Sequence, residues 1–550
     1  MAPKKISRTI YLLFTKQHGL HVQTDAVRYL EEVLKNDPDY ANSLDTILKS
    51  YRKWNEDKPV VIVDKASLEQ VVHSLKAEAQ AASIKTPFQK EHELQDSLQD
   101  MTIHEEAIDV TQHFHVADAF KLPRLQYDYH RKVFLTSPQP SALLGSAGDK
   151  AEMYRDRMNL VKQRLLRNER FCPTSMHLDK ESYIKITPIK ALMGRGAQLF
   201  TIFGMLTQLE EGKVFLEDED AHIELDLSEV TFESGLFTDG TFVIVTGIYG
   251  QDLIFHAHDI SFPPPEPRIM TDMLFPHVDF TSLPKLMVDE TQLQLEETKN
   301  DQISFIILSD VFLDQPKVMN ALRRIFEKYG TEKIPLAFIL IGNFSSRAHI
   351  NSGMESTQYK ENFMALADLI GEFTSIATYS NFVFVPGSRD PWGGSILPQP
   401  AIPDMFISRM HQKVKRLTFA TNPCRIRYCT QDIVIFREDI LNRLWRNVLL
   451  NPNTQVEPEP VKHLVRTLID QGHLCPLPLS VRPIYWSHDH AMRLYPLPQS
   501  LILADHCENF AINYEGTHCL NPGSFANSDF SFAIYYPGRK TSERCFATEF

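Results

Sequence analysis

The residues best placed to do chemistry stand just beyond the ends of apolar runs. Leu308 leads into Ser309-Asp310-Val311-Phe312, and Ile341 into Gly342-Asn343-Phe344-Ser345-Ser346. Val385 leads into Pro386-Gly387-Ser388-Arg389-Asp390, and Ala504 into Asp505-His506-Cys507. In α/β sheets ligands bind beyond the carboxyl ends of the strands, so these stretches are expected at one cleft. A two-metal site in such a cleft would need several anionic oxygens and imidazoles converging within ~4 Å of two ions.

Other groups have plainer readings. Asp218-Glu-Asp-Ala-His-Ile-Glu-Leu-Asp is acid-rich, but it falls between two short strands and reads as a solvated hairpin turn. His256 and His258 sit one residue apart on a strand and could share a zinc. With no cysteine nearby, ordinary barrel-surface histidines are the favoured reading. His506-Cys507 and His518-Cys519 repeat a pair without knuckle spacing. Cys424 and Cys429 flank Arg425-Ile-Arg-Tyr and read as buried thiols. No P-loop is present.

The elements that must carry these residues follow from periodicity. Residues 1–75 read as a small helical bundle: apolar positions 26, 27, 30, 33 and 34 repeat at helical spacing behind Thr24 and Asp25, and further helices start near Asn42 and Lys65. Residues 76–100, rich in Ala, Gln, Glu, Lys and Ser, read as a linker. Residues 101–195 supply connecting strands near 124–135 and one long basic helix over 149–170. Between 196 and 264 lie five short strand runs separated by acidic or Gly-containing turns, which fit a Greek-key barrel of the OB type, with another small β-sandwich as the alternative. From 265 to 550 strand, helix and strand alternate. The continuous apolar strands predict an α/β domain with a largely parallel sheet core.

A barrel of that type can bind single-stranded DNA by stacking bases on aromatic residues over a basic groove. Phe200, Phe203, Phe215 and Phe232 are available, yet Lys213 stands almost alone among Glu210, Glu211, Glu217, Asp218, Glu219 and Asp220. Docking to protein is therefore the favoured use. The helix over 150–170 carries Arg155, Arg157, Lys162, Arg164, Arg167 and Arg170. It reads as solvated or partner-facing, with direct DNA contact as the alternative.

Composition sets the outer bounds. A chain of 550 residues implies several domains, and 43% apolar with 23% charged residues excludes a disordered chain, a collagen or a coiled-coil rod. The longest apolar runs, 303–308 and 336–341, fall far short of the ~20 residues a membrane helix needs. The opening Met-Ala-Pro-Lys-Lys shows no secretory signal and is too weak for a nuclear import signal. A net charge of −13 makes DNA contact local or secondary. Seven cysteines without CxxC pairing suggest reduced thiols and an intracellular home.

The series of strand ends resembles the calcineurin-like metallophosphoesterases, which place D-x-H, G-D-x-x-D, G-N-H-[DE] and G-H-x-H there to hold two metals. By that resemblance the site is dismantled. Asp310 and Asp390 remain, but Phe312 stands at a ligand histidine, Asn343 at the bridging aspartate and Ser346 at the later acid. Ser388 and Arg389 replace an Asn-His pair, Arg389 bringing a positive charge to the place of a metal ion, and Asp505 and Cys507 take the last two histidine positions.

A wider ordered set includes Leu308-Ser-Asp-Val-Phe-Leu-Asp-Gln, Thr421-Asn-Pro-Cys-Arg-Ile-Arg-Tyr-Cys-Thr-Gln, Phe436-Arg-Glu-Asp, Gln471-Gly-His-Leu-Cys-Pro-Leu-Pro-Leu and Asn521-Pro-Gly-Ser-Phe. It is similar to the B-subunit family of DNA polymerase epsilon, from about residue 151 to the C-terminus, while the N-terminal bundle resembles the lid of AAA+ ATPases. The resemblance implies a nuclear, non-catalytic accessory subunit with an inactive phosphoesterase domain, no metal and no cofactor. Implied partners are the Cys-rich C-terminal module of the catalytic subunit, the GINS component of the replicative helicase through the N-terminal domain and, indirectly, the small histone-fold subunits. DNA is a secondary partner and no membrane is involved. The rival readings are a working metal-dependent phosphodiesterase or nuclease, and a single-strand binder.

Overall fold

The computed structural model describes residues 109–137, 141–172, 183–283, 289–348 and 353–549, save 197, 233, 332, 392, 393 and 395, and, before these, residues 14, 21–34, 44, 47–51, 62, 63, 65, 67, 68, 71 and 72. The linker expected over 76–100 lies outside the described residues. Two compact units are present, Met1–Ala107 and Ile108–Phe550.

In the first unit, α1 (Thr24–Leu34) follows β1 (His21–Val22), which pairs in parallel with β2 (Ile62–Val63). Ala26 and Leu30 lie one turn apart and are buried with Leu44, Leu48, Tyr51, Leu68, Val71 and Val72. The described positions 44, 47–51, 65, 67, 68, 71 and 72 are helical, where helices were expected. The short β1–β2 pair was not foreseen.

The second unit opens with β3 (Phe114–Ala117), the hairpin β4 (Leu125–Asp128) and β5 (Val133–Thr136), and α2 (Ala147–Leu165). Ser146 and Asp149 form a capping box that starts α2: Asp149 Oδ2 accepts the Ser146 N–H at 2.6 Å and Ser146 Oγ accepts the Asp149 N–H at 3.3 Å. Next come β6 (Leu199–Glu210), β7 (Lys213–Glu217), β8 (His222–Asp226), β9 (Phe242–Tyr249) and β10 (Ile254–Ser261), which close into a barrel in the order β6-β7-β8-β10-β9. β8 and β10 pair in parallel, and the remaining neighbours antiparallel. Asp218 turns the β7–β8 hairpin by accepting the Asp220 and Ala221 N–H groups at 2.9 and 2.8 Å, the turn chemistry expected there.

The barrel phenylalanines are structural. Phe200 lies in the interior with Ile202, Leu206, Leu216 and Phe255. Phe203, Phe242 and Ile244 pack beneath Met158, Val161 and Leu165 of α2. Phe215 is buried, and Phe232 packs against the interior.

The basic helix departs from its expected solvated role. Arg157 is buried and reaches both carboxylate oxygens of Asp489 through Nε at 3.1 Å. Arg164, also buried, donates to the Asp470 carbonyl, and Arg167 Nε donates to Glu266 at 2.9 Å. These charges face inward because each finds an oxygen partner there, which a buried charge requires. Arg155 and Arg170 remain exposed.

After α3 (Arg268–Leu274) and α4 (Glu290–Lys299) come two six-stranded sheets. The first comprises β11 (Phe305–Ser309), β12 (Ala337–Ile341), β13 (Asn381–Val385) and β14 (Arg416–Phe419), all parallel, extended antiparallel by β20 (Ser531–Tyr536) and β21 (Thr541–Phe546). The second has the order β18 (Phe510–Tyr514), β19 (Thr517–Asn521), β17 (Ser500–Ala504), β16 (Gln431–Arg437), β15 (Cys424–Tyr428) and β3. The single, largely parallel sheet expected from sequence is thus two mixed sheets, and β3 joins the second as an unforeseen edge.

Side chains alternate across each strand and divide the interior into layers. Phe305, Ile307, Ile339 and Val383 meet Ile426, Ile433, Ile435 and Ile502 between the sheets. Ile306, Leu308, Leu340 and Phe384 face outward onto α5 (Pro316–Thr331), α6 (Gly353–Glu372) and α8 (Asp404–Lys413), with α7 (Thr374–Tyr379) beside them. Val434, Phe436, Leu501 and Leu503 face the other way, onto α9 (Ile440–Arg446) and α10 (Pro460–Gln471). The central strands of both sheets are covered on both faces, so polar chemistry there is confined to strand ends. The barrel docks on the α10 side: the Gln471 side-chain amide bonds Phe242 N and O at 2.8 Å each, and His463 Nδ1 accepts the Gly235 N–H at 2.9 Å.

Arg157→Ala should lower the unfolding free energy of the full chain by about 3–5 kcal/mol, because it strands the buried Asp489 carboxylate. Arg157→Leu with Asp489→Leu should recover most of that loss. Urea midpoints of the three proteins check this; equal midpoints for the single variant and wild type would refute it.

Candidate functional site

Ends of both sheets meet at one guanidinium. Arg437 is the last residue of β16, and its side chain is 3% exposed. Nε donates to the Gly342 carbonyl beyond β12 at 2.8 Å. Nη1 donates to Ala504 O at the end of β17 and to Asp439 Oδ1, each at 2.9 Å. Nη2 donates to Asp310 Oδ1 beyond β11 at 2.9 Å. His506 bridges the two carboxylates from the open side, with Nδ1 3.1 Å from Asp310 Oδ2 and Nε2 3.3 Å from Asp439 Oδ2.

Asp310 is held on every side. The Asn343 backbone N–H and side-chain amide both donate to its Oδ1 at 3.2 Å. Its φ is 56°, in the left-handed region that Asp tolerates better than bulky residues, at a cost of order 1–3 kcal/mol. Burial would raise its carboxyl, but the Arg437 charge and His506 outweigh burial and hold it well below the ordinary carboxylate range. The hydrogen bond to Asp310 raises His506 above an ordinary histidine against the opposing effect of burial.

Asp390 forms a second, separate clamp. It accepts Phe344 N–H at 2.8 Å, Tyr359 O–H at 3.1 Å and Gly387 N–H at 2.7 Å. Burial pushes its carboxyl up to about 6. The strand ends approach so closely that only glycine fits. A Cβ on Gly342 would lie 2.2 Å from Asp390 Oδ2, and one on Gly387 would lie 2.4 Å from Asn343 Oδ1.

The residues singled out from sequence therefore separate. Asp310 and Asn343 belong to the guanidinium centre. Phe312 is buried in the helix-side core, and Ser388 is exposed. Ser346 turns to Asp314, which accepts its N–H at 3.0 Å and its hydroxyl at 2.5 Å. Arg389 lies among the same motif positions: its Nη1 donates to Ser346 O at 2.8 Å, its backbone N–H donates to Asn343 Oδ1 at 2.9 Å and its guanidinium lies 6.0 Å over the Phe312 ring. Being half-buried at the rim, it finds a carbonyl and a ring face there instead of the central carboxylates. Asp505 turns away to accept Leu441 N–H at the start of α9 at 2.9 Å. Cys507 faces Asn521 at 3.3 Å, and burial pushes its thiol up to about 12.

The sequence reading missed Arg437 and Asp439 as site residues and weighed His506 only as half of a His-Cys pair. Phe436-Arg-Glu-Asp was noticed only as a motif; its signal was an arginine closing the apolar run 433–436.

The histidine pairs take structural roles. A bulge between Ala257 and Asp259 interrupts the alternation of β10, and His256 binds Asp226 and Asp252 at 2.9 and 3.1 Å. His518 binds Asn513 and Ser542 at 2.6 and 2.9 Å while Cys519 joins the α10-side core. Cys424 and Cys429 are buried between the sheets, as expected. Among the described residues, no group of three or more His, Cys, Asp and Glu is arranged to hold a metal ion, and no helix is long and apolar enough to cross a membrane.

Comparison with known proteins adds a lineage to this geometry. Residues 305–512 match the family of B subunits of DNA polymerases alpha and epsilon. Residues 147–264, from the first residue of α2 to the end of the barrel, match the OB-fold domain of DNA polymerase epsilon subunit 2-like proteins. The chain is similar to human DNA polymerase epsilon subunit 2, at 36% identity with 99% of each chain covered. It is also similar to the DNA polymerase epsilon B subunit of Schizosaccharomyces pombe, at 33% identity over 95% of this chain and 92% of the relative, and to that of Arabidopsis thaliana, at 34% over 78% and 82%.

The charges at the centre set opposite pH responses. Asp310 is depressed when folded and titrates near 3.8 when unfolded, so its contribution is full above that pH and is lost as pH falls. His506 is raised, so its contribution is full below 6.5 and is lost as pH rises through its folded value. Asp310→Asn should destabilise the chain by about 3–5 kcal/mol at pH 7 and flatten the stability profile below pH ~4. His506→Gln should flatten the profile above pH ~6.5. Chemical unfolding as a function of pH measures both; unchanged profiles would refute the assignments.

Proposed function

The chain belongs to the family of DNA polymerase epsilon B subunits, and we propose that it serves there as a scaffold whose strand-end cleft performs no chemistry. Membership makes it an accessory subunit of a replicative polymerase. The observation that carries the absence of catalysis is the seat of Arg437. Its guanidinium spans Asp310, Asp439, Gly342 O and Ala504 O, so Asp310, the first carboxylate of the resembled metal motif, is already paired with a cation. Arg437 offsets one of the two carboxylates that face it, leaving about one net negative charge where two divalent ions would need several anionic oxygens. A metal pair does not fit these residues.

Docking of protein partners is the remaining work for such a chain. We assign to it the Cys-rich C-terminal module of the catalytic subunit as principal partner, with the histone-fold subunits joined indirectly and the complex in the nucleus. The barrel aromatics lie in packed interiors, and Arg157 and Arg164 are buried, which supports protein contacts over single-stranded DNA. The helical module, taken as residues 1–75 with a linker over 76–100, is assigned to the GINS component of the helicase. Its own buried cluster supports an independently folding piece.

Two measurements on the purified full chain test the reading. Elemental analysis should find no stoichiometric Mn or Zn, with no turnover on DNA substrates. Co-expression with the polymerase catalytic subunit should yield a complex that survives size-exclusion chromatography. Bound metal with turnover, or separate elution of the two chains, would end it.

A further inference from the structure

We infer that the cleft is a built guanidinium site, and that Arg437 is the structural cation tying the two sheets together at their carboxyl ends. This goes beyond the absence of catalysis, which needs only that metals be excluded. The argument rests on how the acceptors are arranged. Four oxygens, from two carboxylates and two backbone carbonyls, receive Nε, Nη1 and Nη2 at 2.8–2.9 Å. That distribution matches the planar fork of a guanidinium and not a point charge. Gly342 O and Asp310 come from the first sheet, whereas Ala504 O and Arg437 itself come from the second. Asp439, the residue preceding α9, and His506, just past β17, close the ring. One side chain thus joins the ends of β11, β12, β16 and β17.

The acceptors are fixed independently of Arg437. Asp310 is anchored by two donors from Asn343, and the Gly342 backbone is fixed by its close packing on Asp390 and Gly387. A chain lacking the Arg437 side chain would thus keep a cavity with two carboxylates and two carbonyls aimed inward. Such a cavity would take a small planar cation from solution.

The test is chemical rescue of the full chain. Arg437→Ala is titrated with methylguanidinium chloride, with potassium chloride at matched ionic strength as control. The thermal midpoint of the variant should rise by at least about 2 °C at saturation while that of wild type stays unchanged. Methylammonium and Mn2+ should give smaller shifts than methylguanidinium. Adding Asp310→Ala to the variant should abolish the rise. Absence of rescue, an equal rise in wild type or a larger effect of Mn2+ would each overturn the inference. If Arg437→Ala does not fold in plain buffer, recovery of soluble protein on refolding with methylguanidinium supports the inference and failure to recover overturns it. The outcome is separable from the reading of no catalysis, which concerns metal and turnover in the wild-type chain.

Discussion

A carboxylate sealed inside a protein must be neutralised by a neighbour or by a proton, and the second unit is organised around that constraint. Asp310 is 1% exposed at the end of a sheet strand. Without a partner, burial would drive it to the protonated form. Arg437 keeps it ionised, and the ionised form in turn accepts both donors of Asn343 and the contact of His506. The placement of His506 follows from that balance, because its ring bridges Asp310 and Asp439.

The same device recurs where layers meet. Arg157 with Asp489 joins α2 to the Trp486–Met492 turn, Arg268 with Asp432 joins α3 to the second sheet at 2.7 Å, and Arg482 with Glu438 closes the end of β16 at 2.6 Å. Such pairs offer little net stabilisation over a well-packed apolar contact, because desolvation offsets most of the attraction. They do impose direction. A guanidinium donates to only a few partner geometries, so α2, α3 and the second sheet, whose apolar faces would tolerate sliding, are held in one arrangement.

The barrel was legible because five apolar strand runs follow one another, separated by acidic or Gly-containing turns. The helices α5 and α6 were legible from spacing alone. The second sheet was not: Ile433–Phe436 and Ser500–Ala504 are apolar on both faces, like β11 and β12, and periodicity cannot say which of two covered sheets a strand enters. β3 escaped because two of its four residues, His115 and Ala117, lack strand character and it lies at an edge. The basic helix misled for a different reason. Arg157 and Arg164 are seven residues apart, hence on one face, and that face also holds Leu160 and Val161. The stripe was inward-facing, but a count of charges suggested a surface.

The centre was half legible, and the division has a physical basis. Departures from a resembled motif can be seen at the positions where the motif expects ligands, so Phe312 and Asn343 were readable. A cation from outside the motif has no expected position. Arg437 lies 127 residues from Asp310 and on the other sheet, and only the fold brings them within 2.9 Å. Left without a counter-charge, Asp310 would be driven toward the protonated form by burial. Arg437 supplies that charge from the chain itself and holds Asp310 ionised, while its three donor nitrogens bind the ends of β11, β12 and β17 from the end of β16.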